Sequence, residues 1–474
     1  MSPFNTPKGR KSKENANAPS PLEGMGRRFK LLIKGYGLHF RRGNRSMGMQ
    51  AEQYLQGLMQ APRKNMERME EVVPASDYHS LHHFLSESEW DARAVLDQVA
   101  RDADGHLGGT ADSCLLLDET AFAKKGRKSV GVARQWSGRL GKVDNCQVGV
   151  FACLAQGPSS TVIDTRLYLP KEWTDDAARC QAAGIPRHAV VFKSKADLAL
   201  EMVVQARRNG VRFGWVGIDG GYGKEPAFLR RLADQGEIFV AEVHKSQQIY
   251  SSDPEPFLPA ARRPQRGRKP TRLEARSDSR RVDEWLATQP AESWRRVTVR
   301  PGTKGDVRVE ALQARVWLWD GDEPEARLWH LLVTREVDST KTIKFTLSNA
   351  PAQTPLERLV QMQRQRFFIE RSFEDGKSEM GMADYQVRGW LAWHHHMALV
   401  ALAMLFMLGE RLTQQESYPL LSCADIEALL AHFLPKRDVT VAEVIRQMEA
   451  RHAARQKSID SAYRRQRLSD TKGK

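Results

Sequence analysis

Two short apolar runs that each end in an aspartate constrain the fold of this chain more than any other feature. Residues 113–120 read SCLLLDET and carry Asp118, and residues 213–223 read FGWVGIDGGYG and carry Asp219. Strands that are apolar on both faces belong in the middle of a sheet covered by helices. We therefore predict a fold built around a central sheet, with an acid near the end of each of two buried strands.

A later segment, residues 354–382, adds a third acid and is predicted to form one long helix. Arg366, Glu370 and Lys377 lie 4 and 7 residues apart, so they share one helical face. The plain alternatives are a solvated salt bridge for this helix and a turn or helix cap for each aspartate. Two strand-borne aspartates followed by a helix-borne glutamate are more specific, because three carboxylates can hold two divalent cations for in-line phosphoryl transfer.

The charge of the chain favours a polyanionic partner. Its 474 residues carry a net charge of +15 and a pI of about 9.6, so nucleic acid is the default candidate. We predict no signal peptide, and the longest strongly apolar run, residues 397–408, has 12 residues, too few to cross a bilayer. We predict no membrane contact, a buried core helix at this run, and 5 free, buried cysteines in a reducing cytoplasm.

The periodicity of apolar residues predicts a mixed α/β chain. Residues 47–104 read as three or four short helices. The strand LLLDET follows, and DNCQVGVFACLAQG and STVIDTRLYLP supply two more strands. A helix capped by Ser194 and ended by Gly210, the strand WVGIDGG, a second helix and the strand EIFVAEV come next. This alternation places helices against a sheet.

Together these motifs resemble the DDE transposases of bacterial insertion sequences. The spacing Arg366-x3-Glu370-x6-Lys377, inside FFIERSFEDGKSEMGM, is similar to the third-carboxylate signature of that family. The strings LLLDETAFAKKG, VARQWSGRLGKVDNCQVGVF and WVGIDGGYG resemble the two aspartate regions of the insertion-sequence seven-oh-one group, within the insertion-sequence four superfamily. The resemblance runs from about residue 40 to about residue 412. Gln363 stands where the superfamily signature has a tyrosine, so the phosphate contact of that tyrosine is not carried over.

The resemblance implies an α/β fold with an RNase H-like catalytic core, interrupted by a β-rich insertion and preceded by a helical DNA-binding region. The predicted boundaries follow the chain in order. They are a disordered basic leader (1–20), a helical DNA-binding region (21–109), the first part of the core (110–245), a β-rich insertion with a basic loop (246–345), the second part of the core with the Glu370 helix (346–412), and C-terminal helices with a basic tail (413–474).

The resemblance also implies an activity, namely cleavage of DNA at the ends of an insertion sequence and joining of the 3′-ends to target DNA. Asp118, Asp219 and Glu370 are the implied catalytic residues and the ligands of two Mg²⁺ or Mn²⁺ ions. The implied partners are double-stranded DNA and a second copy of the chain on paired ends, in the cytoplasm at the nucleoid. The side chains predicted to contact DNA are Arg366, Lys377, Lys124, Arg134 and Gln135.

Three alternatives differ in class. A catalytically silent, transposase-derived DNA-binding protein would keep the basic charge without needing the three acids, all of which are present here. An RNase H-like nuclease or a Holliday-junction resolvase on the same fold would be separated from a transposase by a panel of substrates. A Rossmann-type nucleotide enzyme is disfavoured, because the glycines around Asp219 lack the G-x-G-x-x-G spacing and the aspartate would repel phosphate.

Overall fold

A computed structural model describes residues 20–138, 140–260, 270–302, 305–337 and 342–472 of the chain. Nearly all of the predicted basic leader, and the part of the predicted basic loop at residues 261–269, lie outside the described residues.

The N-terminal part of the described chain is helical, as predicted for residues 47–104. Asp77 caps one of these helices, where its side chain accepts a hydrogen bond from the Ser80 amide at 2.8 Å. The elements are α1 (Met25–Gly35), a short hairpin of β1 (Arg41–Arg42) and β2 (Arg45–Ser46), then α2 (Gly48–Gln60), α3 (Met66–Val72), α4 (Tyr78–Ser86) and α5 (Ala92–Leu107).

The rest of the described chain contains both strands and helices and ends in five successive helices. The strands are β3 (Cys114–Ala123), β4 (Ala133–Ser137), β5 (Lys142–Gln156), β6 (Ser159–Leu167), β7 (Trp215–Ile218), β8 (Phe239–Val243), β9 (Gln248–Ile249), β10 (Arg280–Arg281), β11 (Arg295–Gly302), β12 (Gly305–Leu318), β13 (Arg327–Glu336) and β14 (Ile343–Ser348). The helices are α6 (Lys171–Thr174), α7 (Ala177–Ala182), α8 (Lys195–Arg208), α9 (Gly220–Gly223), α10 (Pro226–Asp234), α11 (Val282–Ala287), α12 (Leu356–Gln365), α13 (Phe367–Ser378), α14 (Trp390–Thr413), α15 (Cys423–Phe433) and α16 (Val441–Lys472).

One mixed sheet organises this part of the molecule. Over the described residues it has ten strands in the order β11-β12-β13-β14-β8-β7-β3-β5-β4, with β6 paired to β5. The strands β3, β7 and β8 at its centre run parallel, and the other neighbours are antiparallel. Residues 114–117 and 215–218 are fully buried, so the prediction of two buried central strands is confirmed.

The strands of the predicted β-rich insertion extend this same sheet. β11, β12 and β13 pair in antiparallel fashion, and β14 joins them to β8. A small apolar cluster beneath these strands contains Val297, Val309 and Leu332, and it is closed by Leu359 and Val360 of α12. The strands therefore bury one face against the helix that leads to Glu370.

The helix predicted over residues 354–382 is two helices in the structure, which corrects that prediction. Arg366 lies between α12 and α13 and keeps helical backbone angles, φ −55° and ψ −29°. The Ile369 amide donates to the Arg366 carbonyl oxygen three residues back, at 3.2 Å, as in a tighter helical turn. The two helices pack on different strands, α12 mainly on β11 and α13 mainly on β6. The break lets each helix follow its own part of the twisted sheet.

Helix α14 forms much of the core, as predicted for the apolar run at residues 397–408. It has 24 residues, twice the length of that run, because the helix continues through the more polar residues 390–396 and 409–413 on either side. By length and composition it is the single described helix that could cross a membrane, yet most of it is buried against the rest of the protein. The prediction of a buried core helix is confirmed, as is that of free, buried cysteines.

Consecutive histidines at the start of α14 join it to the N-terminal helices rather than to a common ion. His395 is stacked on Trp90, with ring centres 3.8 Å apart, and its ring nitrogens lie within hydrogen-bond distance of two backbone carbonyl oxygens. The Nδ1 atom of His396 lies 2.9 Å from the Tyr54 hydroxyl. Both imidazoles are fully buried, so they fasten the helical region to the core.

Acid is expected to destabilise the fold through His396. Burial lowers the pKa of His396 from 6.5 to about 3. Below about pH 6.5 the His396 imidazole is protonated in the unfolded chain but stays neutral in the folded chain. The free energy of unfolding therefore falls as pH drops from about 6.5 toward 3. This group alone accounts for a loss on the order of several kcal/mol. Urea unfolding midpoints at pH 7 and pH 5 should decline less in His396→Gln than in the native protein. His79→Gln, at an exposed histidine, should keep the native decline, and an equal decline in all three proteins would contradict the assignment.

Candidate active site

Three acids lie side by side across the three parallel strands. Leu117 of β3 pairs with Ile218 of β7, which in turn pairs with Ala241 of β8. The next residues along the chain are Asp118, Asp219 and Glu242. Neighbouring strands are about 4.8 Å apart, and paired positions point to the same side of a sheet. The register therefore places three carboxylates in one row at the carboxyl ends of these strands.

Arg366 lies at the centre of this group of acids. Its Nη1 atom is 3.4 Å from Asp118 Oδ2, its Nη2 atom is 2.9 Å from Glu370 Oε1, and its Nε atom is 3.4 Å from Glu242 Oε1. The Arg366 side chain is 13% exposed, whereas that of Glu370 is 53% exposed. The structure thus brings Asp118, Asp219, Arg366 and Glu370 together from three distant parts of the chain.

The charged forms of Asp118 and Asp219 are electrostatically unfavourable in the folded chain. Burial and the nearby charge of Asp219 raise the pKa of Asp118 to about 8, against the opposing effect of Arg366. Burial also raises the pKa of Asp219, even though Arg366 and the amides of Gly221 and Tyr222 favour its charged form. Buried like charges of this kind favour the uptake of a proton or a cation. A proton or a metal cation bound between these aspartates would therefore lower their electrostatic free energy.

The glycines after Asp219 let the chain turn closely over β8. Asp219 caps α9, where its Oδ1 atom accepts hydrogen bonds from the amides of Gly221 at 3.0 Å and Tyr222 at 3.3 Å. A Cβ atom added at Gly223 would overlap the carbonyl oxygen of Glu242. Glycine at this position is needed for packing, and it brings Asp219 next to the strand that carries Glu242.

Lys377 and Gln363, the other two residues of the helical motif, form hydrogen bonds with threonines of the sheet. Lys377 Nζ donates to Thr120 Oγ1 at 2.5 Å, two residues beyond Asp118 on the same face of β3. Gln363, at the position of the family tyrosine, is buried: its Oε1 accepts from Thr334 Oγ1 and its Nε2 donates to Thr346 Oγ1, both at 2.7 Å. Gln363 thus ties α12 to the sheet through these two hydrogen bonds.

The remaining predicted DNA contacts lie outside the cluster of acids. The ammonium of Lys124 is 3.5 Å from the centre of the Tyr385 ring, and burial lowers the pKa of Lys124 to about 8. Gln135 Nε2 donates to the carbonyl oxygens of Gly131 and Cys146. Both side chains contact other parts of the protein, whereas Arg134 is exposed on the hairpin of β4 and β5.

Glu242 is the member of the group that the sequence analysis missed. Burial alone would raise the pKa of Glu242, but Arg366 and Lys344 outweigh it and lower that pKa. Its carboxylate is 2.8 Å from Lys344 Nζ. The available signal was the strand EIFVAEV, an apolar run with an acid near its end like the two aspartate strands. Glu119, beside Asp118, instead pairs with Lys195 at 2.5 Å.

The chemistry of these donors suits a hard divalent cation. Carboxylate oxygens are the ligands that Mg²⁺ prefers, and burial, which raises the pKa of Asp118 and of Asp219, disfavours their charged forms unless a cation is near. Across the described ranges, no three histidine, cysteine, aspartate or glutamate side chains are yet close enough to hold an ion. The Arg366 guanidinium lies between the acids, so a cation would displace its two Nη contacts.

Comparison with known families defines the class of protein. A family described as DDE superfamily endonuclease matches residues 38–306, more than half of the chain. The protein belongs to this family, and the predicted resemblance to insertion-sequence DDE transposases is confirmed. The match includes Asp118, Asp219 and Glu242, and it ends before Arg366 and Glu370.

A curated relative is described as the probable transposase for insertion sequence element IS701 of Microchaete diplosiphon. It is 25% identical to this chain over 192 residues, which are 40% of this chain and 46% of the relative. The match thus spans less than half the length of that protein.

Proposed function

We propose that the protein is a transposase that binds the ends of an insertion sequence, cleaves the DNA and joins the 3′-ends to target DNA. The observation that carries the proposal is the meeting of Asp118, Asp219 and Glu370 around Arg366 in a member of the DDE endonuclease family. The basic charge of the chain supports a nucleic-acid substrate. The name of the relative supports transposition over other nuclease reactions.

In the proposed reaction, Asp118, Asp219 and Glu370 hold two Mg²⁺ or Mn²⁺ ions. Such ions, when bound, activate a water or a 3′-hydroxyl for attack and stabilise the departing 3′-oxygen. Arg366 turns its Nη groups from the acids to the phosphate, where a guanidinium can donate two parallel hydrogen bonds. Lys377, fixed near Thr120, adds a point charge on the same side of the sheet. No side chain of the protein is needed as a nucleophile.

We infer further that the chain keeps the RNase H-like arrangement predicted from the family resemblance. The element order of β3, β5, β6, α8, β7, α10 and β8 supports this proposal. The helical region of α1 to α5 precedes this core and is proposed to recognise the DNA ends. Pairing of two ends calls for a homodimer on DNA, and the substrate places the protein at the bacterial nucleoid.

The proposal is tested with a DNA fragment that carries both ends of the element. The purified chain, incubated with this fragment and Mg²⁺, should produce 3′-hydroxyl breaks at the element boundaries and then joined products. A gel shift without breaks would instead identify a silent DNA-binding protein. Preferential cleavage of four-way junctions would identify a resolvase. Either outcome would contradict the proposed transposase.

The exposed hairpin of β4 and β5 is expected to contribute to DNA binding. Arg134 and Trp136 lie on one face of this hairpin, and the Trp136 side chain is 57% exposed. Arg134 pairs with Asn145 of β5, and Asp118 pairs with Phe151, six residues further along β5. Six residues of a strand span roughly 20 Å, so Arg134 lies about that far from the acids. Arg134→Ala should weaken DNA binding and reduce its salt dependence by about one released counterion.

Trp136→Ala provides the matched comparison for Arg134. It should weaken binding through lost contact with DNA but leave the salt dependence unchanged, because no charge is removed. Titration by fluorescence anisotropy at several salt concentrations measures both effects. Native salt dependence in Arg134→Ala would place this hairpin away from the phosphates.

A further inference from the structure

We propose that Glu242 is a positioning residue that holds the Arg366 guanidinium beside the acids while leaving Asp118 and Glu370 free to bind cations. This inference rests on the proposed function, since it presumes divalent cations at these acids. Its first support is the register, which puts Glu242 in the same row as Asp118 and Asp219. No other described acid of β8 or β14 shares that row.

The contacts of Arg366 divide between two sides of the guanidinium. Nη1 and Nη2 contact Asp118 and Glu370, the proposed cation ligands, whereas Nε faces Glu242. Rotation about the Cδ–Nε bond can move both Nη groups away from the ligands while the Nε atom itself stays next to Glu242. Buried Nε makes an ion pair at 3.4 Å but no hydrogen bond to any described residue, so the rotation has a hydrogen bond to gain.

Glu242 is itself held so that it stays beside Arg366. Its carboxylate is 2.8 Å from Lys344 Nζ, and its backbone pairs with Thr346 of β14. The hydrogen bonds of Gln363 to Thr346 and Thr334 fix α12, the helix that ends at Arg366, to these same strands. Glu242 is thus anchored from β14, and α12 brings Arg366 to it. Two cationic side chains already balance its charge, which distinguishes it from Asp118.

Loss of the Glu242 charge should make Arg366 a stronger competitor for the proposed ligands. With Glu242→Gln the guanidinium has only Asp118, Asp219 and Glu370 to balance its charge, so it should stay among them. The apparent affinity for Mn²⁺ should then fall by about tenfold, a usual size for coupling between neighbouring sites. In an Arg366→Ala background the competitor is gone, and Glu242→Gln should no longer change Mn²⁺ affinity.

The experiment measures Mn²⁺ binding to the full chain by electron paramagnetic resonance of the free ion, without DNA or turnover. The proteins are the native chain, Glu242→Gln, Arg366→Ala, the double variant of these two, and Asp118→Asn. Glu374→Gln is the matched control, since this α13 glutamate is 66% exposed and pairs with Arg371. Native affinity in the control, weakening in Glu242→Gln and no further weakening in the double variant are the expected results.

Other outcomes overturn the inference in different ways. Native affinity in Glu242→Gln would show that Glu242 does not position Arg366. Equal weakening with and without Arg366 would make Glu242 a cation ligand instead. If Asp118→Asn leaves Mn²⁺ binding unchanged, the proposed cation site itself is wrong. Should Glu242→Gln fail to fold, Glu242→Asp keeps the charge but draws it back from Nε, and the same dependence on Arg366 is expected.

Discussion

Asp118→Asn is expected to reduce Mg²⁺-dependent strand cleavage by about a thousandfold or more while DNA binding stays near native. The substitution preserves shape but removes a charge that the proposed reaction needs to hold a cation. Losing about 4 kcal/mol of transition-state stabilisation corresponds to this factor. DNA binding should survive because the acid repels phosphate and the basic surface is untouched. Single-turnover cleavage and anisotropy titration measure the two effects.

Thermal unfolding adds a second readout for the same variant. Burial and Asp219 raise the pKa of Asp118 to about 8, so the charged aspartate is unfavourable in the folded chain at neutral pH. Asp118→Asn should therefore raise the melting temperature as it abolishes cleavage. Glu119→Gln, one residue along and paired with Lys195, should leave cleavage near native. Cleavage at the native rate by Asp118→Asn would remove this residue from the proposed mechanism.

Glu370→Gln is expected to abolish cleavage with little change in stability. Its side chain is 53% exposed and contacts Arg366 at 2.9 Å, so few packing contacts are lost. The proposed reaction nonetheless needs a third carboxylate, and Glu370 is the one presented by α13. Glu374→Gln changes an exposed glutamate on the same helix and should cleave at the native rate.

The comparison with Glu242 decides which glutamate completes the acid group. Both glutamates contact Arg366, and the family match covers Glu242 but ends before Glu370. We expect complete loss of cleavage in Glu370→Gln and only partial loss in Glu242→Gln. The reverse result would identify Glu242 of β8, and not Glu370 of α13, as the third catalytic carboxylate.

Features determined by local sequence were predictable. The apolar runs around Asp118 and Asp219 predicted buried strands, because an all-apolar strand must be covered on both faces. The parallel register that sets these two aspartates side by side is visible only in the structure, where Leu117 pairs with Ile218. The spacing of Arg366 and Glu370 placed both on one helical face, and the structure keeps them in contact across the break between α12 and α13.

Features that depend on contacts between distant segments were not predictable. The break at Arg366 arises where two helices pack on different strands, and the segment contains no proline or glycine near it to indicate this. Gln363 of α12 is buried, and its side chain forms hydrogen bonds with threonines on β13 and β14, which lie outside the helical motif. Lys124 looked like a surface cation, but Tyr385, 261 residues later, covers it. Glu242 required the register of β7 and β8, which its own strand does not specify.

Iron-directed cleavage of the protein backbone tests most directly whether the acids share bound cations. Fe²⁺ replaces Mg²⁺ in carboxylate sites, and with ascorbate and peroxide it cuts the chain nearest to it. If the three acids share bound cations, cuts should fall near Asp118, Asp219 and Glu370, and they should be lost in Asp118→Asn and suppressed by excess Mg²⁺. Cuts confined to other segments, or cuts near the aspartates without any near Glu370, would contradict it.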